Sequence, residues 1–227
     1  MKRIVLLITL SLLVAGCSHS LEITNLNENF AVPPSPPKET VTIGVVSSQM
    51  DDPINDGYIF SVVSALRRSG NFERVIYPYK HSTHRKEVAS IVHLTVLPEY
   101  DGAGSNFFVN FPGFLIFAPA IWGYGYSADL VTMADISYPG LNKTEHMEVS
   151  PTYTFRQAEI DRTWTEIGWL EVGIIPLVGG LVFIQYDPDV TEPFISEVSS
   201  NYGNYVASKI TDEVYSSFRS VYQEEKE

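Results

Sequence analysis

Cysteine and positive charge are what this chain lacks most: 227 residues hold a single cysteine, Cys17, and 15 Lys and Arg stand against 27 Asp and Glu, for a formal net charge of −12. One cysteine excludes an intrachain disulfide, so the fold has to rest on its core alone. The shortage of clustered cations argues against nucleic acid as a partner, because affinity for a phosphate backbone comes from grouped Lys and Arg. Familiar catalytic strings are missing too, since neither Gly-x-Ser-x-Gly nor His-Glu-x-x-His occurs. The expectation is a protein that is not an enzyme, with no catalytic residue, no metal and no cofactor to name.

What the chain does have is an export-type start. Lys2-Arg3 precede an apolar run from Ile4 to Val14, and Leu13-Val14-Ala15-Gly16-Cys17 closes it with small residues before the cysteine. A basic start, a short apolar centre and small residues before a cut mark a secretory signal, and the apolar part falls short of the roughly twenty residues a permanent span needs. LVAGC resembles the lipobox of bacterial lipoproteins. That resemblance implies a signal peptide over 1–16, lipidation of Cys17 by a diacylglycerol on its sulfur, and a further acyl chain such as palmitate on the new amino terminus. A helical anchor that is not cleaved, or a buried thiol, is the competing reading. Acyl chains at about 0.8 kcal/mol per buried CH₂ make a firm attachment once two are present. Losing Lys2 and Arg3 with the signal takes the charge from −12 to −14. Ser18 then stands second, where Asp holds enteric-type lipoproteins on the inner membrane, so the resemblance implies the periplasmic face of the outer membrane.

Residues 18–40 are polar and end in Pro33-Pro34-Ser35-Pro36-Pro37, a composition that favours extended polyproline II. The expectation is a lipidated, Pro-rich tether over 17–40, holding one α+β periplasmic domain, 41–227, on the order of tens of Å from the bilayer. Within that domain 41–46 reads as a buried strand and Asn55-Asp56 as helix caps. Ile59, Val62, Val63 and Leu66 then fall at helical spacing, Arg67-Arg68 suit a helix C-terminus, and Gly70 stands where a left-handed cap is wanted. A second strand at 74–77 completes a β-α-β unit. Three further strands at 90–97, 129–138 and 147–156 alternate apolar and polar residues and are expected to be antiparallel, with Pro151 arguing for an edge or a bulge in the last. An apolar stripe over 196–223 predicts a C-terminal helix packed on the sheet.

Two stretches, 107–126 and 167–186, are nearly uncharged; Glu171 is their one acid. Their length is that of a membrane helix, but Pro112, Pro119 and Pro176, with several glycines, make poor continuous helices. Three readings stand: membrane segments, buried strands or packed loops, and aromatic-rich surfaces that touch a bilayer or another protein. Trp122, Tyr124, Tyr126, Trp164 and Trp169 are the candidate membrane or partner contacts, because Trp and Tyr favour the interfacial layer.

Weaker patterns have plainer explanations. The string 123–128 fits G-x-G-x-x-A, but it opens a strand rather than the helix a dinucleotide site requires. His81-x-x-His84 has no obvious third metal ligand. Asp51-Asp52 with Asp56, and Asp187-x-Asp189, lack the spacing of a calcium loop and suit caps and turns.

Residues 62–75, Val-Val-Ser-Ala-Leu-Arg-Arg-Ser-Gly-Asn-Phe-Glu-Arg-Val, resemble the helix-to-strand step in periplasmic lipoproteins of the curli-secretion, penicillin-binding-protein-activator and transport-auxiliary type. The resemblance extends over 41–77 and implies a compact α/β domain opening with β-α-β. The function these readings imply is a binding or assembly accessory module of the cell envelope. It would contact the membrane through its lipid anchor and engage an envelope protein partner or further copies of itself. The alternative is a membrane-inserting or pore-related oligomer that uses the two apolar stretches.

Overall fold

The computed structural model describes residues 20–24, 40–48, 53–110, 122–158 and 185–224. In chain order the elements are β1 (Ser20–Ile23), β2 (Thr42–Ser47), α1 (Pro53–Arg68), β3 (Arg74–Ile76), α2 (His81–His84), β4 (Ser90–Gly102), α3 (Asn106–Asn110), β5 (Tyr124–Tyr138), β6 (Lys143–Val149), β7 (Thr152–Ala158), a 3-10 turn at Pro188–Val190, and α4 (Thr191–Glu224). The seven strands belong to one mixed sheet in the order β1-β7-β5-β4-β2-β3, with β6 on β5. The fold is α+β. The chain divides into two compact units: unit 1 takes Met1–Leu26, Tyr100–Ala128 and Thr152–Pro193, and unit 2 takes Asn27–Glu99, Asp129–Pro151 and Phe194–Glu227.

Unit 2 opens with the expected β-α-β. Helix α1 buries Ile59, Val62, Val63 and Leu66, the four residues whose spacing defines its apolar stripe. It ends with Arg67 and Arg68 in the last turn, where cations meet the negative end of the helix dipole. Gly70 follows at φ +67°, a left-handed position that favours glycine because other residues bring Cβ against the backbone. Strand β3 returns parallel to β2, with Ile43 opposite Val75.

The first 90s strand departs from expectation. β4 runs parallel to β2, with Ile43 opposite Ser90 and Val45 opposite Val92, and its opening residues Ser90, Ile91 and Val92 are buried in succession. Continuous burial on both faces is the property of a parallel strand, and the alternation that suggested an antiparallel one starts only at His93. The expected strand over 147–156 is two strands, β6 and β7, parted at Pro151. Proline has no N–H to give to a ladder, and here its carbonyl accepts from Leu130 N (3.1 Å).

Helix α4 supplies the other side of the unit 2 core. Val198, Tyr202, Val206, Ile210 and Val214 are buried, each contributing about 1.5–3 kcal/mol as an aliphatic or aromatic side chain taken out of water. From β5, Leu130, Ala134, Ile136 and Tyr138 are buried as the alternation required. The strand also buries Thr132, whose hydroxyl lies 2.7 Å from that of Tyr202 and donates to the Leu130 carbonyl (3.1 Å), leaving Tyr202 to donate to it. Burial pushes the Tyr202 phenol well above its ordinary value, against a smaller lowering from Thr132.

Candidate functional site

The first unexpected element lies just after Cys17. Residues 20–23, assigned by composition to an irregular tether, form strand β1, antiparallel to β7 with Ser20 opposite Ala158, Leu21 opposite Gln157, Glu22 opposite Arg156 and Ile23 opposite Phe155. Thr24 extends the pairing: its N–H donates to the Thr154 carbonyl (2.8 Å), and the two threonine hydroxyls are 2.8 Å apart. The physical cause is a period of two, with Leu21 and Ile23 half-buried and Glu22 and Thr24 exposed. Cys17 and the proline run at 33–37 lie outside the described residues. In sequence the proline run joins β1 of unit 1 to β2 of unit 2, whereas the reading of the sequence put it between the anchor and the whole domain.

Four chain segments come together at the end of unit 1 from which β1 starts. β7 ends there, because Ala158 is the partner of Ser20. β5 begins there: a Cβ on Gly123 would stand 2.6 Å from the Gln157 carbonyl oxygen and 2.8 Å from Ala158 N. Gly123 also has φ +65°, so the backbone's close approach and its left-handed turn both call for glycine. β4 ends there as well, since Ala103 N donates to the Gly125 carbonyl (2.9 Å). The fourth segment is α3, whose first residue, the buried Asn106, brackets Gly125. Its Nδ2 donates to the Gly125 carbonyl (2.8 Å), and its Oδ1 accepts from Gly125 N (2.7 Å).

The aromatic residues sort sharply at this end. Trp122, next to Gly123, is 55% exposed, while Tyr124 and Tyr126 on the inward face of β5 are only 1% and 2% exposed. Of the five candidate contacts, Trp122 therefore offers surface, Tyr124 and Tyr126 belong to the protein's own interior, and Trp164 and Trp169 lie outside the described residues. Phe108 on α3, two residues past Asn106, is 71% exposed. Behind them lies an aromatic cluster: Tyr186 stacks on Tyr100 with centroids 4.6 Å apart and meets Tyr126 edge-on at 5.4 Å, and Tyr126 lies 5.5 Å from Phe155. Burial pushes the Tyr186 phenol well above its ordinary value, with the Thr191 hydroxyl acting in the opposite direction. Tyr186 closes the second apolar stretch and, half-buried, packs against the buried Tyr126. Among the described residues no helix is long and apolar enough to cross a membrane.

Asn106, Phe108 and β1 were not legible as parts of a site. The signal for β1 was present as alternation in Ser20-Leu21-Glu22-Ile23-Thr24. Phe108 carried none, because exposure of one phenylalanine in an apolar run depends on where the chain turns.

The remaining patterns resolve into local structure. His84 Nδ1 accepts from Lys80 N (3.1 Å), and His81 Nδ1 lies 3.4 Å from the Tyr79 hydroxyl. The Asp187 carboxylate caps the 3-10 turn by accepting from Asp189 N (3.1 Å). The 123–128 string opens strand β5. Among the described residues no group of three His, Cys, Asp or Glu stands close enough to hold a metal. Unit 2 carries a groove of about 300 Å³ lined by Phe60, Ser61, Ser64, Arg68 and Ser199 among others. The Ser61 and Ser199 hydroxyls are already donating to the carbonyls of Tyr58 (2.7 Å) and Ser196 (3.2 Å).

No protein-family model matches the chain, and no curated protein matches it. Among solved structures the chain is similar to a PelC dodecamer from Paraburkholderia phytofirmans, at 8% sequence identity, over 70% of this chain and 98% of that one, with a TM-score of 0.30. At that level of likeness, the functional reading rests on the residues of this chain.

Proposed function

We infer that this protein is a lipoprotein of the outer membrane, held on its periplasmic face by acyl chains on Cys17, and that it works as a binding or assembly module of the cell envelope rather than as an enzyme. The observation that carries the reading is the N-terminal string: two cations, an apolar run, and Leu-Val-Ala-Gly ahead of the chain's single cysteine. The exposed Phe108 and Trp122 support a contact surface, since large aromatic side chains left in water mark interaction sites more often than isolated surface leucines do. The test replaces the anchor while keeping export, as in Cys17→Ser behind a cleavable soluble signal. The expected outcome is a periplasmic, non-sedimenting protein that fails to complement a deletion. Full complementation by that soluble form would contradict the anchored-module reading.

A second reading, a membrane-inserting or pore-related oligomer that uses the two apolar stretches, is favoured by one observation: Phe108 and Trp122, both within the stretch 107–126, are exposed. Flotation of the unacylated chain with liposomes, as a multimer, would select it. A monomer left in the soluble fraction would remove it.

A further inference from the structure

We propose that the end of unit 1 where β1 starts lies directly on the bilayer surface, with Phe108 and Trp122 seated in the interfacial layer beside the acylated Cys17. The proposal rests on the lipid-anchor reading and adds to it an orientation and a contact surface. Only Ser18 and His19 stand between Cys17 and Ser20, and Ser20 is locked into the sheet opposite Ala158. Three residue steps reach at most about 11 Å, so the acyl chains hold this end of the sheet against the membrane instead of releasing the domain on a long leash. The Pro-rich run cannot lengthen the leash, because it follows β1 in the chain.

The surface brought down by that constraint has the composition a bilayer interface selects. Ala158 is the strand partner of Ser20 and the neighbour of Gly123, which places Trp122 one residue from the anchored strand pair. Gly125 is bracketed by Asn106, and Phe108 follows on the same short helix. In unit 1 these two are the large apolar side chains most exposed to water among the described residues. A Trp ring with an apolar body and a polar N–H is suited to the headgroup layer. The occupant is therefore a phospholipid surface, because the anchor fixes a bilayer within reach of this end.

The test uses the full chain, acylated in cells and reconstituted into vesicles of phosphatidylethanolamine and phosphatidylglycerol. Acylation blocks the one native thiol, so a cysteine introduced by Phe108→Cys, Trp122→Cys or, as reference, Thr152→Cys takes a polarity-sensitive dye specifically. Thr152 is exposed at the other end of β7, about 20 Å from Ala158 along the strand. Nitroxide-bearing lipid is expected to quench the dye at 108 and 122 by about half, as for a group at the acyl boundary, and to leave the dye at 152 unchanged. Equal quenching at all three positions, or none at 108 and 122 in an acylated chain, would overturn the orientation while leaving the anchor reading intact. Protection of 108 and 122 from both nitroxide lipid and aqueous iodide would overturn it in favour of a second copy on this surface. If mass spectrometry finds Cys17 unmodified, the anchor reading falls and the orientation falls with it. The native chain, unlabelled, supplies an independent check: Trp122→Phe should lower the blue shift of tryptophan emission on vesicle binding if this ring enters the interface, and leave it unchanged if it does not.

Discussion

Unit 2 is closed by a long helix laid over strands: Tyr202, Ile210 and Val214 of the helix and Leu130, Thr132 and Ile136 of β5 are all buried, and Tyr202 meets Thr132 through their hydroxyls. Unit 1 is closed by its strand ends: Gly123 against Gln157, Asn106 around Gly125, and four residues of β1 along β7. The difference teaches how each unit divides its aromatic residues. Unit 2 spends most of them on the core, as in the stacked Phe72 and Tyr215 or the edge-on Tyr58 and Tyr202, with Phe60, exposed beside its groove, the exception. Unit 1 buries Tyr124 and Tyr126 and leaves Phe108 and Trp122 in water, which is the arrangement expected of a surface meant to be covered.

The comparison predicts separable stabilities. Ile210→Ala, which empties a fully buried position in unit 2, should cost about 2–5 kcal/mol in the denaturant midpoint. Amide exchange at Leu21 and Ile23 should then report whether unit 1 follows. If those amides lose protection to the same extent, the two regions unfold as one and the contrast between them is broken.

Asn106→Ala should cost about 1–3 kcal/mol, since it leaves the Gly125 N–H without its acceptor. The effect should appear as faster exchange at Gly125 and should spare the α4 amides. Slower or unchanged exchange there would show that the bracket does not hold the strand ends together.

High pH sharpens the contrast from the unit 2 side. Burial raises the Tyr202 phenol from its ordinary value of 10.0, so the unfolded chain ionises near pH 10 while the folded one stays protonated. Stability from this residue is fully present below about pH 10 and is lost as the pH climbs toward the folded value. Tyr202→Phe should cost about 0.5–1.5 kcal/mol at neutral pH through the lost hydrogen bond and should make the alkaline decline shallower. An unchanged alkaline profile would assign that decline to other groups. Trp122→Ala should be the mildest, within about 0.5 kcal/mol, because the ring is mostly in water. A larger loss in the unacylated chain would mean that Trp122 serves the core.

Unit 2 was the readable half. A 3.6-residue stripe in α1, the left-handed glycine at 70 and the alternation of β5 are local signals, and tertiary structure agreed with each of them. The direction of β4 was misread because its three buried opening residues are too few to outweigh the alternation that follows. Unit 1 was largely hidden. Four residues of strand within a polar leader are stable only because β7 supplies their hydrogen bonds, from Gln157 opposite Leu21 and Arg156 opposite Glu22, partners far along the chain on which the leader itself gives no information. Tyr124 and Trp122 differ by two positions and have opposite exposures, and that difference follows from the turn at Gly123, whose necessity appears only when Gln157 is seen beside it. The lipid anchor belongs to a third category: LVAGC is legible as a resemblance, and folding neither adds to it nor takes from it.

The central claim is that Cys17 carries the lipid and begins the mature chain three residues before the sheet. Mass spectrometry of the N-terminal peptide from the purified outer-membrane fraction tests it most directly. The account predicts a peptide that starts at Cys17 and carries acyl chains on both sulfur and amino nitrogen. A peptide that retains residues 1–16, or an unmodified Cys17 in a soluble fraction, would contradict it.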